Sequence, residues 1–158
     1  MPTTGIALRA VQEDDLPLLA AVEADREAQQ MVAFTDTAGE LEVHLRRWRK
    51  LLDDDRVVKR AVELDGAVVG SVVSFEFDRG TEITYWIARE HWGHGIATRA
   101  LGQSLAELRV RPLYGRIAFD NIASIQVMER NGFRRIAVER SFARARNATI
   151  PEVVYRHA

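Results

Sequence analysis

The chain has 158 residues, 47% of them hydrophobic, with a formal net charge of −1 and no cysteine. That length fits one domain with a core of useful size, the near-neutral balance supplies no field to recruit nucleic acid or an anionic membrane, and the missing thiols exclude disulfides, thiol nucleophiles and cysteine metal sites. No apolar run approaches the length that crosses a bilayer, and the N-terminus has neither a basic segment nor a greasy stretch behind it, so no signal peptide is read and the expected location is the cytoplasm.

A short strand over 6–10 comes first. Asp14 or Asp15 can cap a following helix that tolerates Pro17 in its first turn. Leu16, Leu19, Ala20 and Glu23 fall at helical spacing and carry that helix to about Gln30. Residues 31–39 are less regular and read as a loop. A second helix over 40–52 has Leu41, Leu45, Trp48 and Leu52 as its apolar stripe, with Arg46, Arg47, Arg49 and Lys50 on the other side.

Asp53, Asp54 and Asp55 stop that helix. A strand over 57–64, the hairpin signal Asp65-Gly66 and a returning strand over 67–77 lead through Asp78, Arg79 and Gly80 into a strand over 81–87. These strands make an antiparallel meander. The pattern then changes to helix (95–109), strand (113–119), helix (124–129) and strand (133–138). Pro112 helps to end the first of these helices, and Gly132 lies just past the second. After Glu139 the chain reads as part strand and part hairpin loop, and 152–156 as a terminal strand. No repeat or linker interrupts it, so one mixed α/β domain over 1–158 is expected.

The stretch from the strand at 81–87 into the helix after Gly95 carries the chemistry. A strand that passes through a glycine-spaced turn into a helix leaves backbone N–H groups aimed at one spot, and the helix dipole adds a positive end there. That combination suits a phosphate or pyrophosphate near 93–97. The plainer reading is that Gly93 and Gly95 only permit a tight connection. A dinucleotide fingerprint would need glycine where Thr98 stands, and a nucleoside-triphosphate loop needs a Gly-Lys pair that the chain lacks.

The order strand, Trp92-Gly93-His94-Gly95-Ile96-Ala97, helix, strand, Asn121-x-x-Ser124 leading to Gly132-Phe133 resembles the GCN5-related N-acetyltransferases. With Glu82-Ile83-Thr84-Tyr85-Trp86-Ile87 it is most similar to the branch of the ribosomal-protein N-terminal (alanine/serine) acetyltransferases. In element order the resemblance spans nearly the whole chain, and its specific motifs lie between Glu82 and Phe133. It implies a central, mostly antiparallel mixed sheet flanked by helices, in which the strand of Glu82 splays from a parallel neighbour at 113–119. It also implies that Trp92, Gly93, His94, Gly95, Ile96, Ala97, Thr98 and Asn121 bind acetyl coenzyme A, the pyrophosphate on the turn and the pantetheine arm in the splay. The wider superfamily often has Gln or Arg at Trp92, many relatives have Gly at Thr84, and many have an acid Tyr at Met128.

Acetyl transfer to an amine needs a neutral amine, a donor for the carbonyl oxygen and relief for the leaving thiolate. Glu82 is the first candidate for base or amine-orienting group, against a reading as a solvent-facing or ion-paired strand residue; Glu76 is a weaker one. Strand alternation sets Glu82, Thr84 and Trp86 on one face and Ile83, Tyr85 and Ile87 on the other. Ser124, by the resemblance near the coenzyme sulfur, takes the place of the absent Tyr as proton donor, directly or through water, against simple helix capping. Asn121 either binds coenzyme or fixes its turn. Four histidines without cysteine make a poor metal site, so none is expected. His91 and His94 read as loop imidazoles, although His94 can also meet phosphate; Arg89 and Arg99 read equally as phosphate partners or as surface charges. The arginines at 134, 135, 140, 144 and 146 either attract an acidic partner or are solvated.

By the resemblance the acceptor is a primary amine held by residues 24–52 and 141–152, with a protein N-terminal amine favoured over amino acids, polyamines and antibiotics. A homodimer is a candidate assembly, but no self-complementary face stands out. The competing classes are a non-catalytic coenzyme A-binding domain and a nucleotide-binding regulatory domain.

Overall fold

The computed structural model describes residues 5–34 and 40–158. Strand β1 (Ile6–Ala10) leads to α1 (Leu16–Ala24), α2 (Arg26–Val32) and α3 (Leu41–Leu52). The meander follows as β2 (Val58–Leu64), β3 (Ala67–Phe77) and β4 (Gly80–Ile87), joined at its first hairpin by Asp65 and Gly66, both at positive φ. Then come α4 (Ile96–Glu107), β5 (Leu113–Ala118), α5 (Ile122–Arg130), β6 (Arg134–Ala143) and β7 (Ala148–His157). The strands form one sheet in the order β1-β2-β3-β4-β5-β7-β6. All pairings are antiparallel except β4 with β5, so the expected mixed sheet with a parallel pair is what the chain adopts.

Alternation along β4 divides two cores. Ile83 and Ile87 pack with Ile96, Leu101, Val127 and Met128 under α4 and α5. Trp86, on the opposite face, packs with Val22, Ala28 and Ala88. Farther along that second face, Leu16, Leu19 and Trp48 of α1 and α3 cover Ala61 and Val73.

Several expected boundaries shift. The helix read as continuous to Gln30 breaks at Asp25, whose extended backbone (φ −65°, ψ 123°) ends α1 and whose carboxylate accepts the Ala28 N–H to start α2. The loop expected over 31–39 is helical at Met31 and Val32; residues 35–39 lie outside the described residues. In α3, Leu41 is 45% exposed, while His44 joins Trp48 inside. Helix α5 starts at Ile122 rather than Ser124, and β6 continues five residues beyond Val138, to Ala143, because β7 pairs with it along that length.

Under the α1–α3 contact lies a buried carboxylate. Glu23 accepts from Trp48 Nε1 (3.0 Å) and Arg47 Nη1 (2.5 Å), and His44 Nδ1 lies 3.3 Å away. Its own carbonyl accepts from Gln29 Nε2 at 2.9 Å, which fixes α2 against α1 across the Asp25 break. A buried charge is tolerable only with such company. Glu23→Ala would leave the Arg47 guanidinium without its carboxylate and the indole N–H without an acceptor, so urea denaturation should show a loss of about 3–5 kcal/mol. A loss below about 1 kcal/mol, the range of an exposed pair, would contradict this role.

Candidate active site

After β4 the chain makes a single 3₁₀ turn (Arg89–His91), passes Trp92 and enters α4 through two glycines at positive φ, Gly93 (81°) and Gly95 (76°). Gly95 is the N-cap residue of α4 in the left-handed region, and no side chain caps the helix. The first-turn N–H groups, which have no intrahelical acceptor, are therefore open to a ligand at the positive end of the dipole. A side chain at Gly93 would meet nothing within 4 Å, so the turn has open space beside it as well as free donors. The Trp92 indole donates to the Ile87 carbonyl at 2.7 Å and braces the turn on the end of β4. Arg89 is engaged elsewhere: its guanidinium pairs with Asp25 (3.1 Å) and Glu27 (3.4 Å) on α2.

The turn forms one wall of a cavity of about 340 Å³. Trp92, Gly93, Gly95, Ile96, Ala97 and Thr98 line it, with α5 contributing Asn121 and Ser124 and α2 contributing Ala28, Met31 and Val32. Arg130 and His91 also face it, whereas His94 is exposed and does not. A second hollow of about 50 Å³ opens between β4 and β5. The two strands share only two register pairs, Thr81 with Leu113 and Glu82 with Tyr114, and separate beyond them, as the expected splay requires. Val32, Tyr85, Asn121 and Ser124 border both hollows and form their junction.

Asn121 builds that junction. Its carboxamide oxygen accepts the Ser124 N–H (3.3 Å), capping α5, and its Nδ2 donates to the Met31 carbonyl (3.2 Å), tying α5 to α2. The cap uses only the Ser124 backbone N–H, and the Ser124 side chain borders the junction beside Tyr85. Met128, which stands where a helical Tyr was absent, is buried over the second hollow; a Cβ on Gly115 would fall 2.6 Å from its Cε.

Glu82 is not among the residues lining either hollow. It is buried at the closed end of the splay, bonded to Arg116 Nε at 2.9 Å. Arg116 also reaches Asp78 (3.2 Å), Glu139 (3.2 Å) and Glu152 (3.4 Å), and covers the Phe77 ring. Burial pushes the Glu82 carboxyl above its ordinary range, with Arg116 opposing. Glu76 accepts from the Thr81 hydroxyl. This Arg116-centred cluster has no local sequence signal, since its members lie on four strands and a turn. Among the arginines of the C-terminal stretch, Arg146 pairs with Asp120 (2.7 Å) and donates to the Gln30 carbonyl (2.9 Å), so it stitches the β6–β7 connection to α2. Among the described residues no group of His, Asp and Glu could hold a metal, and no helix is long and apolar enough to cross a membrane.

Because Glu82 gains its proton in the folded chain before the unfolded chain would, its contribution to stability rises as pH falls through the folded pKa toward the unfolded 4.5. Glu82→Gln should therefore be more stable than the parent near neutrality, by a margin that shrinks as pH drops toward 4.5 in urea titrations. Its turnover should stay within about threefold, whereas loss of a general base costs roughly a hundredfold or more.

A model of the acetyltransferase (GNAT) domain matches residues 6–134. Among solved structures, the ribosomal-protein-alanine N-acetyltransferase from Brucella melitensis superposes with a TM-score of 0.80 at 22% identity, covering 96% of this chain and 98% of that one. The spermidine N-acetyltransferase from Vibrio cholerae, solved with coenzyme A and spermine, gives 0.78 at 21%, covering 97% and 96%. The microcin C7 self-immunity acetyltransferase, solved with acetyl coenzyme A and AMP, gives 0.81 at 15%, covering 98% and 93%. These likenesses share the fold across several acceptor classes and do not single out the ribosomal-protein branch.

Proposed function

This chain belongs to the acetyltransferase (GNAT) family, and from that premise we propose that the group it acetylates is the α-amine of a peptide or protein N terminus. It is an acetyl-coenzyme A-dependent acetyltransferase. The coenzyme supplies an acetyl thioester, activated toward amines. In our reading the backbone N–H groups of Gly95, Ile96, Ala97 and Thr98 hold the pyrophosphate, Gly93 keeps the approach open, and Trp92 and Asn121 fix the walls. Ser124 contacts the sulfur end.

One observation carries the choice of acceptor: among the described residues, no carboxylate lines either hollow, and Glu82 is committed to Arg116. His91 lines the larger hollow and is not among the residues that border both. A site without a base at the junction depends on amines that arrive neutral. Near pH 7.4 an α-amine of pKa about 7.7–8.0 is roughly a quarter neutral, whereas a lysine-type amine near 10.4 is neutral in about one molecule per thousand. That difference of about 250-fold is barrier the α-amine does not impose. The wall formed by Ala28, Met31, Val32 and Trp86 is apolar and suits a small first side chain. The rest of a peptide can leave over α2 and the β6–β7 connection, which Gln30 joins by donating to the Ala145 carbonyl at 2.6 Å.

A polyamine is the second reading. Four carboxylates, Asp78, Glu82, Glu139 and Glu152, surround Arg116, and among the described residues the one other cation bonded into the group is Arg79 on Glu139 (2.5 Å). That surplus of negative charge would suit a polycation, but it faces neither hollow.

The test is turnover with acetyl coenzyme A on peptides starting with Ala or Ser, beside spermidine, free amino acids and an aminoglycoside. Peptides should give kcat/KM at least tenfold above the others. The peptide rate should climb with pH and level off near the α-amine pKa of about 8, with no second ionisation from the protein. Preference for spermidine would overturn the α-amine reading in favour of the second one.

A further inference from the structure

At the junction of the two hollows sits a polar group that the fold does not use. The Tyr85 hydroxyl is shielded from solvent and makes no hydrogen bond of ordinary length, with only the neighbouring Ser124 hydroxyl acting on it. Among the described residues the Ser104 hydroxyl is the only other buried side-chain polar atom in that state, and it lies within α4, where a serine can turn to a carbonyl of the preceding turn. Tyr85 has no such option, because its phenol is held on a rigid ring at the far end from its own backbone. Leaving a buried hydroxyl unpaired costs free energy, so chains keep few of them.

Its position says what it is kept for. The larger cavity is lined both by the glycine turn and by Tyr85 and Ser124, which border the junction with the second hollow. A ligand anchored by phosphate at the turn therefore presents its far, reactive end to these two hydroxyls. Burial pushes the Tyr85 phenol up to about 12, with Ser124 beside it acting in the opposite direction. A proton held that firmly passes only uphill to the thiolate of an ordinary thiol, for which the cysteine value of about 8.5 is the guide. The phenol is a fixed donor.

We infer that Tyr85 is a catalytic residue whose hydroxyl donates a hydrogen bond to the thioester sulfur as the C–S bond breaks; this rests on the acetyltransferase reading but not on the choice of acceptor. The amine lone pair forms the C–N bond, the C–S pair leaves on sulfur, the proton shed by nitrogen passes to water, and Tyr85 keeps its own. A donor aimed at charge that develops only during the reaction speeds the chemical step without tightening ground-state binding.

Tyr85→Phe removes the hydroxyl and leaves the ring. Coenzyme A bound at saturation to each protein is titrated through the ultraviolet absorbance of its thiolate, and the parent should ionise the thiol at least half a pH unit below the variant. Without ligand, the variant should melt no lower than the parent, because the hydroxyl loses no hydrogen bond of ordinary length and only a loose approach to Ser124. With any amine that the parent acetylates, kcat should fall at least tenfold while KM for acetyl coenzyme A stays within threefold. Equal thiol pKa values, a lower melting temperature or an unchanged kcat would each overturn the role of Tyr85. Failure of the parent itself to bind coenzyme A would overturn the coenzyme site, and this inference with it.

Discussion

Two register pairs hold β4 to β5, and the separation of the strands beyond them makes the site. A parallel ladder that continued would satisfy both strand edges and leave no opening. Here the pairing stops at Glu82 and Tyr114, and the edges diverge around the smaller hollow. The closed end is clamped by Arg116, whose guanidinium gathers carboxylates from β4, β6, β7 and the turn before β4. Over the open end, Met128 and Ser124 of α5 stand where a continuing strand pair would have packed. Glu82 is part of that clamp: Arg116 makes its ionisation tolerable, and it lines neither hollow.

The coenzyme wall and the acceptor wall are tied together at single contacts. Asn121 caps α5 and holds the Met31 carbonyl of α2, Arg89 fastens the start of the glycine turn to the first turn of α2, and Arg146 and Gln30 join α2 to the β6–β7 connection. Helix α2 is therefore the element on which both sides of the cavity converge. It exists as a separate helix only because Asp25 breaks the chain there, and the buried Glu23 network keeps the break in place.

What could be read in the sequence was local. The Asp65-Gly66 hairpin, the glycine turn and the Asn121-x-x-Ser124 cap are set by residues a few positions apart, and each is found where its local chemistry requires. Alternation along β4 assigned Ile83, Tyr85 and Ile87 to one face correctly, since period two follows from the pleat. The Arg116 cluster was not legible: its partners are 23 to 38 positions away, and only the strand order brings them together. Leu41 was misassigned for a related reason, because periodicity gives a helix its apolar face but not how far a neighbour covers it. The break at Asp25 left a usable signal, an N-cap aspartate three residues before Ala28, which the apolar spacing of α1 masked. That the Tyr85 hydroxyl is buried without a hydrogen bond of ordinary length is a property of the assembled junction alone.

The claim on which the rest stands is that backbone N–H groups at the start of α4 hold the coenzyme. Residue-resolved amide hydrogen exchange, with and without coenzyme A, tests it most directly. Exchange at Ile96, Ala97 and Thr98 should slow by at least tenfold on binding, while the Asp65-Gly66 hairpin, which does not line the cavity, should not change. Unaltered exchange across the turn at saturating coenzyme A would contradict the site.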